Sequence, residues 1–363
     1  MRVKLKDITK FSKGTQINGK NLIDDGAYSY LNGGINPSGK WNEFNVAENT
    51  VTISEGGNSS GYVNYMNEAF WCGAHCYYLY DGPKNSKYLY YALKSQQERL
   101  FRIRSGACMP NIKKSDLGNF IIEYEKDEVR QEEVVKVLEK CELLIEDYNK
   151  KLALLDEAVR ARFVEMFGDV QDAKKHSSKQ LKDICNTVTG GTPSTKHAEY
   201  YNGTIPWIST VSLGPNYIDG TTAKAFITQE AVDNSSTKII PSGSILFGTR
   251  VGVGKSSINQ VEMCTNQDIV AIIDLDESKY NKLYIKYVLD TYQSYFDSIK
   301  KGATILGISS DDLKNIYIPD ASLYEQNRFE KFVKQIDKSR SRIQKSLEAS
   351  QELFDSLMQK YFG

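Results

Sequence analysis

The chain has 363 residues, more than one ordinary domain needs, and its 40% hydrophobic and 25% charged content is that of a soluble globular protein with two or three domains. Its 46 basic and 46 acidic residues cancel, which excludes wholesale basic wrapping of nucleic acid but leaves room for a locally basic cleft. No apolar run reaches 18 residues and Met1 to Lys6 carries no signal-type stretch, so no membrane association is expected, and six cysteines without a framework fit a reducing cytoplasm.

In chain order, the first module is expected over residues 1–126. It opens on Val3-Lys4-Leu5-Lys6-Asp7-Ile8 and passes a Gly-Thr turn at Lys13-Gly14-Thr15. A β-rich run at Thr50 to Ile53 leads into the glycine-rich loop Gly56 to Gly61, and a short helix is expected from Ser86 to Phe101. Residues 127–168 then read as one long helix. Its apolar positions Val134, Leu138, Cys141, Ile145, Tyr148, Leu152, Leu155 and Val159 alternate steps of four and three, the 3.5-residue period of a coiled-coil seam. The polar residues 169–179 read as a linker. A second module over 180–321 opens on Gln180-Leu181-Lys182-Asp183-Ile184. It carries Gly190-Gly191-Thr192-Pro193, the run Ile245-Leu246-Phe247, the loop Gly248 to Lys255 and a short helix from Tyr280 to Ile299. Residues 322–363 form a second long helix whose seam adds Val333, Ile336, Ile343, Leu347, Phe354 and Leu357, with Arg340 and Ser350 as polar intrusions.

The second half repeats the first. Gln131 to Gly168 and Gln326 to Gly363 have the same length, and both start on a glutamine preceded by a charged residue, Arg130 or Glu325, and end on Phe-Gly. Before each lies another matched pair: Ser105-Gly106-Ala107, Ile112 and Asp116-Leu117 answer Lys301-Gly302-Ala303, Ile308 and Asp312-Leu313. A repeat of this size fixes architecture. A lone amphipathic helix of some 38 residues, roughly 57 Å long, would expose its stripe, so the two helices are expected to pair. Connectivity makes that pairing antiparallel. The expected fold class is α+β: two mixed α/β domains separated by two long antiparallel coiled-coil helices, a pseudo-twofold internal repeat.

Taken in order and in duplicate, these motifs resemble the specificity (S) subunit of type I restriction-modification systems. Ile205-Pro206-Trp207-Ile208-Ser209 and Asn266-Gln267 also sit where that family has recurrent loop motifs. The resemblance covers essentially the whole chain. It implies two target recognition domains, each reading half of a split double-stranded DNA sequence, and spacer helices that dock two methyltransferase subunits. Restriction and translocase subunits join through that complex. S-adenosylmethionine, ATP and magnesium would belong to the partners, and this chain would hold no cofactor or metal and catalyse nothing alone. The first module departs from the pattern, with Tyr28 to Asn32 in place of Pro-Trp-Ile and Cys72-Gly73-Ala74-His75-Cys76 in place of the Asn-Gln segment.

Base reading needs donors and acceptors at groove edges, held in register by phosphate contacts, and loops of small polar residues let backbone approach closely. The candidates in the second module are Thr192, Ser194, Lys196, Trp207, Ser209, Thr210, Arg250, Lys255 and Gln267, with Arg250 suited to guanine and Gln267 to adenine. In the first module they are Lys13, Gln16, Asn32, Lys40, Trp41, Asn58, Ser59 and His75. Signals for chemistry are weaker. Thr249 to Ser256 resembles a phosphate loop with threonine at its first glycine. Cys72, His75 and Cys76 lack a second pair to complete a zinc site, and Glu277-Ser278-Lys279 lacks the preceding aspartate of a nuclease. The alternatives are a coiled-coil scaffold whose modules bind protein or glycan, and a stand-alone nuclease or methyltransferase.

Overall fold

The computed structural model describes residues 1–106, 109–168, 178–302 and 304–363. Residues 169–177 of the expected linker lie outside the described residues, as do Ala107 and Ala303 of the repeated module ends. Ser178 and Lys179, read from sequence as the end of that linker, instead begin a strand, because their backbone pairs with Ile318 and Pro319 far along the chain. The chain divides into two compact units, Met1–Lys151 with Ile343–Gly363, and Leu152–Arg342. Among the described residues, no helix is long and apolar enough to cross a membrane.

The first unit holds β1 (Arg2–Lys4), β2 (Lys10–Lys13), β3 (Tyr28–Leu31), β4 (Gly39–Trp41), β5 (Thr50–Ser54), β6 (Val63–Met66), β7 (Phe70–Cys72) and β8 (Cys76–Tyr80). Helices α1 (Ser86–Lys94), α2 (Gln97–Arg102) and α3 (Lys114–Gly118), strand β9 (Ile121–Glu123) and the start of α4 (Glu128–Phe167) follow. Strands β2-β8-β5-β6 form an antiparallel sheet. A smaller sheet, β4-β3-β7, has β3 and β7 parallel, and β1 pairs with β9 as a separate ribbon.

The second unit begins with the rest of α4 and continues through β10 (Ser178–Gln180), β11 (Asn186–Thr189), β12 (Ile205–Ile208), β13 (Tyr217–Ile218), β14 (Ala225–Ile227) and α5 (Gln229–Asp233). Then come β15 (Ile239–Ile240), β16 (Ile245–Gly248), β17 (Ser256–Asn259), β18 (Met263–Thr265), β19 (Ile269–Ile273), α6 (Lys282–Thr291) and α7 (Gln293–Ile299). The order ends with α8 (Ser310–Lys314), β20 (Tyr317–Pro319) and α9 (Leu323–Phe362), whose last part returns to the first unit. Its sheets are β11-β19-β16-β17-β13 and β14-β12-β18-β15, with the ribbon β10–β20 beside them. Strand for strand, β11, β19, β16 and β17 take the places of β2, β8, β5 and β6, and β14, β12 and β18 those of β4, β3 and β7. The second unit adds β13, α5 and β15. The single helices expected at 86–101 and 280–299 are each two helices, broken at Ser95–Gln96 and at Tyr292.

Alternation places the layers. On β16 and β19, Ile245, Phe247, Val270 and Ile272 face one core with Tyr284, Val288 and Leu289 of α6, while Leu246, Ile269 and Ala271 face another with Ile208 and Met263. The larger sheet is thus buried on both faces, which is why β19 reads as an unbroken apolar run. The long helices are part of these cores. In the second unit Val159 and Phe163 of α4 pack with Phe329 and Val333 of α9, the Phe163 and Phe329 rings 5.4 Å apart. In the first, Val135 and Leu138 of α4 share a core with Met358 and Phe362. In each unit, one end of α4 therefore meets the opposite end of α9, the antiparallel sense expected from connectivity.

The seam residues divide by position. Leu138, Val159 and Val333 are buried, and Val134, Ile336, Phe354 and Leu357 are half-buried against the cores. The mid-helix residues Ile145, Leu152, Leu155, Ile343 and Leu347 are only half-buried. Arg340 ion-pairs with Asp156 of α4 at 2.6 Å, so this polar seam position bridges the helices. Gln131 and Gln326, equivalent in the repeat, are both buried at the starts of α4 and α9. Gln131 donates to the Glu125 carbonyl (2.6 Å) and the Tyr124 hydroxyl, and Gln326 donates to the Ala321 and Lys279 carbonyls and accepts from the Asn281 amide.

Candidate nucleic-acid interface

In the second unit, four connections meet at one end of the two sheets: Gly190 to Pro193 after β11, Ser209 to Ser212 after β12, the β16–β17 turn and the β18–β19 turn. Gly190 must be glycine, since a Cβ there would lie 2.1 Å from Thr265 Oγ1 and 2.4 Å from the Asn266 carbonyl. This close approach lets the Gly191 amide donate to the Thr265 carbonyl (2.8 Å). The β16–β17 turn uses positive φ at Gly252 and Gly254 to reverse direction. The Thr249 amide donates to the Asp268 carbonyl (2.8 Å), joining this turn to the β18–β19 turn.

Several polar side chains on this frame are exposed, beside the exposed apolar Val211 and Val251. Thr192 Oγ1 donates to Gln267 Oε1 (2.6 Å), and Arg250 lies 3.6 Å from the Asp268 carboxylate. Lys255 is exposed at the base of its turn, and on the connection after β12 Val211 is exposed and Ser209 half-buried. The structure thus brings Thr192, Arg250, Lys255 and Gln267 into one neighbourhood, while Ser194 and Lys196 lie exposed further along the 193–197 segment.

Two of the second module's candidates are corrected. Trp207 is buried, 7% exposed, and its indole N–H donates to the Gly191 carbonyl at 3.0 Å. Thr210 is buried at 4% exposure. Trp207 packs with Tyr200, Ile227 and Cys264, and the Thr210 methyl lies beside Gly248, so both side chains are spent on supporting the loops.

The first unit builds the same arrangement from other residues. A Cβ at Gly14 would lie 1.8 Å from the Cys72 carbonyl, and the Thr15 amide donates to that carbonyl (2.9 Å) as Gly191 does to Thr265. Here the indole that donates to the equivalent carbonyl, Thr15 O at 2.7 Å, belongs to Trp71 on β7. Sequence reading missed it, because the tryptophan comes not from β3, which takes the place of β12, but from its parallel neighbour β7. Asn32 Oδ1 accepts from the His75 amide (3.3 Å), and the Ser59 hydroxyl donates to the Gly33 carbonyl (2.6 Å). Lys13 and His75 both pair with Glu55, at 2.6 and 3.4 Å. Gln16 and Asn58 are exposed.

Lys40 and Trp41 lie on β4 instead. Lys40 is exposed, while Trp41 packs its ring against Trp71, centroids 6.4 Å apart. The residue is half-buried, and its indole nitrogen is buried with no hydrogen-bond partner among the described residues. A cleft of about 450 Å³ beside Lys13 is lined by Glu55, Tyr77, Asn111, Lys113 and Lys114. Its lysines 113 and 114 carried no motif, and only their place at the start of α3 next to the repeated module end could have pointed to them.

The remaining motifs are explained locally. Thr249 to Ser256 closes an antiparallel hairpin between β16 and β17, not the strand-to-helix turn that cradles phosphate. Cys72 and Cys76 are buried; Cys72 donates to the Cys76 carbonyl, and hydrogen bonding with the Cys76 thiol together with burial pushes its own thiol well up. Cys264, beneath the β18–β19 turn, is pushed up to about 11 by burial. Ser278 and Lys279 bond Asp276, whose carboxyl those two side chains hold down at about 2.

Residues 1–156 and 174–351 match the type I restriction modification DNA specificity domain family. Among curated relatives, the chain is 35% identical over 151 residues to the type I restriction enzyme MjaIX specificity subunit of Methanocaldococcus jannaschii, covering 41% of this chain and 35% of that protein. It is 26% identical over 374 residues to a protein of Mycoplasma genitalium named "putative type I specificity subunit", covering 96% and 90%. Several of the other alignments, like the first, span well under two thirds of the relative's length. The crystal structure of a type I restriction-modification system S subunit from M. genitalium superposes with a TM-score of 0.65 at 20% identity, over 100% of this chain and 96% of that one, a likeness of fold. With two matches that together span most of the sequence, the chain belongs to the type I restriction modification DNA specificity domain family.

Proposed function

We propose that this chain is the sequence-reading subunit of a type I restriction-modification complex and recognises a two-part site in double-stranded DNA. What carries the reading is the repeat of one loop frame bearing different side chains. Gly14 and Gly190 make the same close approach, yet the exposed polar groups are Lys13, Gln16, Asn58 and His75 in one unit, with Asn32 and Ser59 half-buried beside them, and Thr192, Arg250, Lys255 and Gln267 in the other. A common scaffold with distinct polar tips is what two different half-sites require, since base edges are told apart by donor and acceptor patterns. Ser194, Lys196 and Lys40 fit the phosphate contacts that set register without reading sequence. The helices α4 and α9 would hold the reading modules apart and dock two methyltransferase subunits, with restriction and translocase subunits joining through them. Methyl transfer and ATP use would reside in those partners, in the cytoplasm, and this chain would catalyse neither.

A salt-titrated selection from a random duplex library tests the proposal. The expected product is a motif of two short blocks around a fixed unread gap, with affinity falling steeply as salt rises. A single block would refute the two-module division. No enrichment at any salt would refute DNA reading and favour a scaffold that binds protein or glycan.

A further inference from the structure

The Arg250–Asp268 pair sits at the point of closest contact between the β16–β17 and β18–β19 turns, and resting on the DNA-reading proposal, it has a further role. The pair is asymmetric. Arg250 is 56% exposed, whereas the Asp268 side chain is 16% exposed and fixed from several sides. Its carbonyl accepts from the Thr249 amide (2.8 Å) and the Thr249 hydroxyl (3.1 Å), and its carboxylate accepts from Asn266 Nδ2 (3.2 Å). Asn266 is itself 9% exposed, is held by its amide donating to the Ile208 carbonyl (3.0 Å), and has no partner for its Oδ1 among the described residues. Among the described residues, the one bond its side chain makes is to the Asp268 carboxylate.

A carboxylate on a surface meant for a polyanion is unfavourable unless it does something there. Next to Arg250 it tethers the guanidinium through a single 3.6 Å ion pair and gives it an anionic partner when no suitable base is present. A phosphate must then compete with Asp268 for Arg250 while being repelled by the same carboxylate. A guanine edge, which offers two neutral acceptors in the fork's own spacing, meets less repulsion. We infer that Asp268 is a positioning residue for specificity, making the Arg250 contact conditional on the correct base and suppressing attachment to unrelated DNA. Specificity gained by penalising the wrong partner is a general device of selective interfaces.

The sign of the effect separates this role from a purely structural one. A brace that merely supports the turn would, when removed, weaken binding to every duplex. A conditional holder would, when neutralised, strengthen binding to unrelated DNA and blur one base position. The test uses the full chain, its random-library selection and one fixed duplex lacking the selected motif. Asp268→Asn is expected to raise affinity for the fixed duplex about fivefold, the scale of an ion pair this exposed, and to lower discrimination at one position on the order of tenfold. Arg250→Lys keeps the charge and loses the fork, and should lose discrimination at the same position. The double variant should lose no more than either single one, because the two residues act as a unit.

If the wild-type chain selects a motif but Asp268→Asn leaves every position intact, or weakens binding to all duplexes alike, the inference falls and DNA reading stands. If the wild type selects nothing, both fall. Should Asp268→Asn fail to fold, Arg250→Lys at its exposed position decides: unchanged discrimination overturns the inference.

Discussion

At the scale of single residues, burial explains both the reactive groups and the misread ones. Cys264 lies fully buried under the β18–β19 turn, and burial raises its thiol to about 11 from an ordinary value near 9. A group whose folded pKa stands above its unfolded one adds stability that is complete below the unfolded value and lost as pH rises through the folded one. The stability difference between the wild type and Cys264→Ala should therefore be constant up to about pH 9 and shrink toward pH 11, as read by denaturant melts. Below pH 9 the same thiol should resist alkylation until the chain unfolds.

Trp207 shows the converse error. A tryptophan in a Pro-Trp-Ile run beside polar residues reads from sequence as a contact. Yet it lies on β12 between Ile205 and Ile208, and its N–H is already committed to Gly191. That Arg250, Lys255 and Gln267 lie exposed on turns was legible, because exposed turns are polar and glycine-punctuated. Whether an aromatic beside such a turn faces in or out depends on which strand lies opposite, and that partner is more than fifty residues away in sequence.

At the scale of elements, the long helices were the most legible part of the chain. Their signal is local and periodic, and it occurs twice. The same duplication singles out Gln131 and Gln326. Each is a buried amide joining the first turn of a long helix to the segment before it, and Gln326 reaches as far as the start of α6. Gln326→Ala would leave the Asn281 amide and two carbonyls without that partner. It should cost about 1–3 kcal/mol, measured by urea unfolding, with the loss of hydrogen-exchange protection centred on α6. Gln326→Met, which fills the space but makes none of the bonds, should be no better than alanine.

What stayed hidden at this scale was strand pairing. β2 pairs with β8 and β11 with β19, each across most of a module, and nothing in either strand names its partner. The break of each expected short helix into two was also hidden, since Ser95 and Tyr292 are residues that helices tolerate.

At the scale of the molecule, each long helix belongs to two cores. The first unit's core is closed by Phe354, Leu357, Met358, Tyr361 and Phe362 of α9, and Phe362 lies against Tyr88, ring centroids 5.2 Å apart. Removing residues 343–363 should expose the inner faces of Tyr88, Val135 and Leu138. Hydrogen exchange should then show the first unit losing protection throughout while the sheets of the second keep theirs. Equal loss in both units would mean that the two cores do not fold separately. The milder Phe362→Ala should cost about 3–5 kcal/mol in the first unit.

This shared ownership sets a timetable. A ribosome adding roughly 5–20 residues per second finishes the β-strands of the first unit and must then make all of Leu152–Arg342 before the segment that seals them exists. For on the order of ten to forty seconds the nascent chain carries an unsealed apolar groove, open to chaperones and to the same groove on neighbouring chains. The second unit waits only for the start of α9, which follows directly after its last strand. The half that is made first is the half that is finished last.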